Sequence, residues 1–156
     1  MMTIRIPGRK EYKLKHLVLD VNGTIALDGS LLPGVAERLQ RLSQALKIHL
    51  LTADTHGQQD GIDKHLGIKA QRIPAGDEAA AKGRFIENLG AEITVAIGNG
   101  SNDALLLKRA GLSIAVLGPE GLSVEALKMA DAVAGDINSA LDLLLHPQRL
   151  VATLRQ

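Results

Sequence analysis

Short apolar runs alternate along this chain with stretches in which apolar residues recur every three or four positions. Leu17 to Leu19, Ile48 to Leu51, Ile93 to Ile97 and Leu112 to Leu117 are near-continuous aliphatic runs of strand length. That is the pattern of strands buried on both faces of a parallel sheet. Ile68 to Ile73, stopped by Pro74, and the short Ala132 to Ala134 read as two further strands. Between them, Val35 to Ala45 carries apolar residues at Val35, Leu39 and Leu42, a spacing that predicts a helix. Gln58 to Leu66 and Glu78 to Leu89 are helical stretches closed by Gly67 and Gly90. Ala104 to Ala110, Ser123 to Met129 and Ile137 to Leu145 also predict helices, as does the Leu-rich tail after Pro147. Met1 to Lys15 alternates loosely around Pro7-Gly8-Arg9-Lys10, which predicts an N-terminal edge hairpin added to the main sheet. The regular alternation of strand and helix predicts one doubly wound, mainly parallel α/β domain over residues 1–156.

Composition sharpens this picture. Apolar residues make up 46% of 156 positions and aromatics 1%, so the core is aliphatic, as suits a parallel sheet covered by helices. A net charge of +1 without a basic run gives no electrostatic case for nucleic acid or an anionic membrane. The absence of cysteine excludes disulfides, thiol catalysis and cysteine-zinc sites. No apolar run reaches the ~20 residues of a membrane span, and no signal-peptide pattern opens the chain. A cytoplasmic, soluble protein is expected.

The chemistry gathers where the strands end. Asp20 closes the first buried strand, Thr52 the second, and Asn99 to Asp103 follow the fourth, while Lys82 lies near the start of a helix. Open α/β sheets bind ligands at the carboxyl edge of their strands, so the fold would bring these residues together. Two carboxylates with loop carbonyls suit Mg²⁺, and a lysine with a hydroxyl suits the charge of a phosphoryl group. Each residue also has a plainer reading. Thr52 fits a helix N-cap, Lys82 a solvated helix position, Asp54 a cap or supporting acceptor, and Glu78 the negative charge a helix N-terminus favours. The five histidines (His16, His49, His56, His65, His146) show no metal-ligand spacing.

In order, these segments resemble the four motifs of the haloacid dehalogenase superfamily, and the resemblance spans essentially the whole chain. Asp20-Val21-Asn22-Gly23-Thr24 is similar to the first motif, Asp-x-Asp-Gly-Thr, with Asn in its second acidic slot. Leu51-Thr52-Ala53-Asp54 is similar to the second, Lys82 to the third, and Gly98-Asn99-Gly100-Ser101-Asn102-Asp103 to the fourth, Gly-Asp-Gly-x-Asn-Asp. The flavour is that of the phosphorylation domain of P-type ATPases and its soluble relatives.

The resemblance implies an Mg²⁺-dependent phosphohydrolase in which Asp20 attacks phosphorus and becomes an aspartyl-phosphate that water hydrolyses. It makes Asp20, Asn22 and Lys82 the catalytic set. Thr52, Ala53, Asn22, Lys82 and Asn102 would hold the phosphate, with backbone N–H groups near Asn22 helping, and Asp20, Asn22, Asn99 and Asp103 would hold the metal. Two residues depart from the pattern. Asn22 cannot transfer the proton that the family's phosphatases pass at this position, a loss of roughly 10²–10⁴ in rate. Asn99 replaces a charged metal ligand by a neutral carbonyl. A slow enzyme acting on phosphomonoesters, acyl phosphates or nucleotides is one expectation, and a weakened binding or regulatory module is the other. The gaps between motifs leave no room for a cap domain. Either the open site accepts a phosphate on a large molecule, or neighbouring subunits of a homo-oligomer close over it. The hairpin and the tail are its candidate contacts, unless the tail covers its own sheet.

Overall fold

The computed structural model describes residues 1–53 and 57–156; Asp54 and His56, singled out above, lie outside them. Its centre is a six-stranded sheet of β3 (His16–Asp20), β6 (Lys47–Thr52), β7 (Gln71–Arg72), β8 (Thr94–Gly98), β9 (Leu112–Val116) and β10 (Ala132–Ala134). The strand order is β10-β9-β8-β3-β6-β7 and every pairing is parallel. β3 sits in the middle, in register with Thr94 to Ile97 on one side and Lys47 to Leu51 on the other.

Alternation of side chains along each strand divides the core in two. Leu17, Leu19, Ile48, Leu50, Val95 and Ile97 face one layer; Val18, Leu51 and Ala96 face the other. The first layer is covered by α1 (Val35–Leu42), α2 (Gln59–Leu66), α6 (Ile137–Leu145) and α7 (Pro147–Leu154), whose Leu39, Ile62, Leu141 and Leu150 are buried there. The second is covered by α3 (Glu78–Leu89), α4 (Ala104–Arg109) and α5 (Val124–Met129) through Ile86, Leu106 and Ala126. Among the described residues, no helix is long and apolar enough to cross a membrane.

The expected elements are present, with four differences of detail. The N-terminal hairpin forms from β1 (Met2–Arg5) and β2 (Glu11–Leu14), but as a two-stranded sheet of its own, not as an extension of the main one. Ile4, Ile6, Tyr12 and Leu14 are buried in the first layer, so burial of its inner face fixes its place. α1 stops three residues short of Ala45, with Ser43 to Ala45 completing a tighter turn through Gln44 N–H to Arg41 O and Ala45 N–H to Leu42 O.

The strand expected over Ile68 to Ile73 shrinks to two residues. Asp63 is the cause. Its backbone carbonyl accepts from Ile68 N–H, its Oδ1 takes the N–H of Ala70 at 3.1 Å, and its Oδ2 pairs with Arg72 at 2.7 Å. The N–H groups of Ile68 and Ala70 are thereby withdrawn from the ladder. Lastly, Asp28-Gly29 is not simply a loop but the turn of a small antiparallel pair, β4 (Ala26–Leu27) with β5 (Ser30–Leu31). The tail does cover its own sheet: α7 packs against β1 and α6, and Gln156 N–H donates to Pro7 O at 3.1 Å. Leu150 and Leu154 are buried within the chain, so neither offers a contact to a neighbouring subunit.

Candidate active site

The polar residues expected at the strand ends do meet, around a cavity of about 210 Å³ at the carboxyl edge of β3. The apolar run of β3 carries Asp20 to that edge, where its side chain is almost wholly buried. Val21 O then accepts N–H groups from Thr24, Ile25 and Ala26, closing a tight turn in which Gly23 adopts a φ of 80°. That left-handed conformation strains any residue with a Cβ. The turn aims Thr24 back at the strand end. Its Oγ1 lies 3.1 Å from Asp20 Oδ2 and 3.0 Å from Asn99 Oδ1.

Lys82 is the main counter-charge. It stands on α3 with 1% of its side chain exposed, and Nζ donates to Asp20 Oδ1 at 2.7 Å and to Asp103 Oδ1 at 2.8 Å. Asp103 is completely buried, and its Oδ2 accepts the backbone N–H groups of Asn99 (3.1 Å) and Gly100 (3.0 Å). Both of its oxygens are therefore engaged in holding Lys82 and shaping the loop. Asp103, expected among the metal ligands, has its side chain beside Asp20 under the cavity, joined to it through Lys82.

Other expected residues take varied places. Asn22, Ala53, Asn99 and Asn102 line the cavity with Asp20 and Lys82. Thr52 is buried at the end of β6, where its Oγ1 accepts from Asn22 Nδ2 at 3.3 Å. Of the N–H groups near Asn22, those of Gly23 and Thr24 are bonded within the turn, to Ala26 O and Val21 O. Two carboxylates escaped the sequence reading. Glu78, read there only as a helix-terminus charge, lines the cavity while accepting from Asn102 Nδ2 at 2.9 Å. Glu120, on the loop after β9, also lines it. No motif signal marks Glu120, since it arrives from a hundred residues downstream.

The electrostatics follow from two buried carboxylates sharing one ammonium. Burial, and next the Asp103 charge, push the Asp20 carboxyl up to about 7, against the opposing pull of Lys82 and Thr24. Burial alone would lower the Lys82 ammonium, but Asp20 and Asp103 together outweigh it and hold it above the usual lysine range.

The donor set suits a hard cation. Thr24 has a single hydroxyl proton for two facing oxygens, Asp20 Oδ2 and Asn99 Oδ1, so one of them lacks a proton to accept. With Lys82 neutralising only one of two carboxylates, the cluster becomes net negative as Asp20 ionises, and it has a spare oxygen acceptor. All-oxygen coordination with few carboxylates is what Mg²⁺ takes. Among the described residues no group of three or more His, Cys, Asp or Glu side chains converges as a metal site, so Asn99 and backbone carbonyls would have to share in it.

A family model for haloacid dehalogenase-like hydrolases matches residues 4–111, which include Asp20, Lys82 and the Asn99 loop. The chain belongs to this hydrolase family. An uncharacterized protein of Methanocaldococcus jannaschii is 47% identical to this hydrolase over 92 residues, 56% of this chain and 99% of that one. The chloroplastic copper-transporting ATPase of Arabidopsis thaliana is 26% identical over 124 residues, 78% of this chain but 13% of the ATPase. In fold, this hydrolase is similar to the 3-deoxy-D-manno-octulosonate 8-phosphate phosphatase of Moraxella catarrhalis, crystallised with magnesium, phosphate and KDO. The TM-score is 0.66 at 21% identity, covering 92% of this chain and 95% of that one.

Proposed function

We propose that this hydrolase is an Mg²⁺-dependent phosphohydrolase that works through a phosphorylated Asp20. The observation that carries the reading is Asp20 itself: an almost buried carboxylate at the carboxyl edge of the central strand, bonded on one oxygen by Lys82 and on the other by Thr24, and open to a cavity. A carboxylate so held is oriented for attack on phosphorus, and the single displacement becomes two easier ones. Asp20, Asn99 and a backbone carbonyl at Asn22 would hold Mg²⁺, which when bound supplies charge neutralisation at the phosphoryl oxygens. Lys82 keeps a fixed positive charge at the same edge, and Asp103 keeps Lys82 in place. Asn102, steadied by Glu78, offers an amide to the phosphate from the far wall.

Asn22 sets the rate. Its amide is turned to Thr52 and carries no transferable proton, so the leaving group must depart unassisted. The carboxylate of an acyl phosphate and the diphosphate end of a nucleoside triphosphate leave readily as anions, so such substrates are favoured over alkyl phosphomonoesters. The test is hydrolysis of acetyl phosphate and p-nitrophenyl phosphate with and without Mg²⁺, with Asp20→Asn as control. Mg²⁺-dependent turnover that the substitution abolishes supports the reading. Equal rates for the two proteins would leave a binding module as the better account.

A further inference from the structure

We propose that Glu120 is the second carboxylate of the cation site at Asp20, supplying the charge that Asn99 lacks. The inference rests on the Mg²⁺ reading above and adds a residue that neither the motifs nor the family match assigns.

Glu120 belongs to a turn that is fastened to the site at several points. Gly118 and Gly121 bridge each other, with N–H to O distances of 3.3 and 2.9 Å. Gly118 approaches the Asp20 turn so closely that a Cβ there would run into Gly23 O. Gly121 O accepts from Asn99 Nδ2 at 3.2 Å, and Ser123 N–H donates to Asn99 O at 2.9 Å. The loop is thus tied to both halves of the site. It lays the Glu120 side chain over Gly23, where a Cβ would overlap Oε2 of Glu120 and reach within 3.0 Å of Asn99 Nδ2.

Nothing in the fold engages this carboxylate, which makes no hydrogen bond or ion pair among the described residues. It nevertheless faces a cavity in which Asp20 and Asp103 share the one charge of Lys82. Glu120 is exposed to solvent, which screens its charge, and a cation held at Asp20 would draw its carboxylate in. Independent of Glu120, the almost buried oxygens of Asp20 and Asn99 compete for the one proton of Thr24, which marks the same spot as short of positive charge.

The side on which Glu120 stands selects its role. Asn22 turns away toward Thr52 on β6, whereas Glu120 lies with Asn99 on the β8 side of Asp20. Its position therefore makes up for Asn99, not for Asn22. Mg²⁺ is commonly held by one or two carboxylates, and Asp20 with Glu120 meets that number, whether Glu120 binds directly or through a coordinated water.

Calorimetric titration of the whole chain with Mg²⁺ and Mn²⁺ tests this without reference to turnover. Glu120→Gln should weaken binding by roughly 10- to 100-fold, the usual effect of losing a ligand-shell group. Glu78→Gln, which removes the other new carboxylate of the same cavity, should change it by no more than about threefold, as expected of a screened charge. Asn99→Asp placed on Glu120→Gln should restore affinity. An unchanged dissociation constant in Glu120→Gln overturns the proposal, and so does an equal loss in Glu78→Gln. If the wild-type chain binds neither metal, the Mg²⁺ reading falls with it; if it binds and Glu120→Gln binds equally well, only this inference falls.

Discussion

Lys82 Nζ and Asp20 Oδ1 stand 2.7 Å apart, across 62 residues of chain, with 1% of the lysine side chain exposed. The ammonium is shared with Asp103, so one cation holds the nucleophile candidate and the loop after β8 in a single arrangement. Removing it leaves two buried carboxylates facing each other.

Lys82→Met should therefore be among the most destabilising substitutions at this edge. Breaking a buried ion pair by removing one partner costs about 3–5 kcal/mol. Urea unfolding of Lys82→Met should show that loss, and a midpoint equal to wild type would contradict the ion-pair account.

Asp20→Asn should act in the opposite direction. Asp103 and Lys82 would then balance, and the amide oxygen of Asn can still accept from Lys82. In EDTA, a gain of about 0.5–2 kcal/mol is expected, as when a strained functional charge is removed. Mg²⁺ should narrow the difference, because binding to the native wild-type site stabilises it. Calorimetric melting of both proteins, with and without Mg²⁺, checks this.

Asn22→Asp should raise turnover of glycerol 2-phosphate, whose alkoxide leaving group needs a proton, by roughly 10²–10⁴ if proton transfer is the missing step. Acetyl phosphate, whose leaving group needs no proton, should gain less in its first displacement. Steady-state rates on the two substrates, measured side by side, read the contrast.

Away from the site, His49 Nε2 lies 3.0 Å from His16 Nδ1, and its ring meets the edge of Phe85 at 5.6 Å. Burial chiefly, then His16 and Lys47, lower His49 to about 4. A base depressed in the folded state takes up its proton first in the unfolded chain, so this pair contributes stability above pH 6.5 and loses it as pH falls toward 4. His49→Gln should flatten that part of the pH–stability curve. Denaturation midpoints at pH 7 and pH 5 for both proteins make the comparison.

Much of this was legible because local pattern and global fold agree. The run Leu17 to Leu19 is buried on both faces, and Glu78 to Leu89 forms a helix with the expected ends. Asp20, Asn99 and Lys82 meet because strand ends and an adjacent helix impose it. What escaped depends on side-chain direction, which spacing does not encode. Spacing does not tell that Asp103 gives its oxygens to two backbone N–H groups and a lysine. Glu120 has no periodicity or motif to announce it, and contacts of its turn with Gly23 and Asn99 bring it over the site. The short β7 reflects Asp63, whose bonds to the N–H groups of Ile68 and Ala70 no strand periodicity announces.

The central claim is that Asp20 is phosphorylated. Acid quenching of the chain with acetyl [³²P]phosphate and Mg²⁺ tests it most directly. The account predicts an acid-stable, hydroxylamine-labile label in wild type, greater in amount than in Asn22→Asp, and none in Asp20→Asn. A label of equal size in Asp20→Asn, or turnover in wild type with no label under single-turnover conditions, would contradict it.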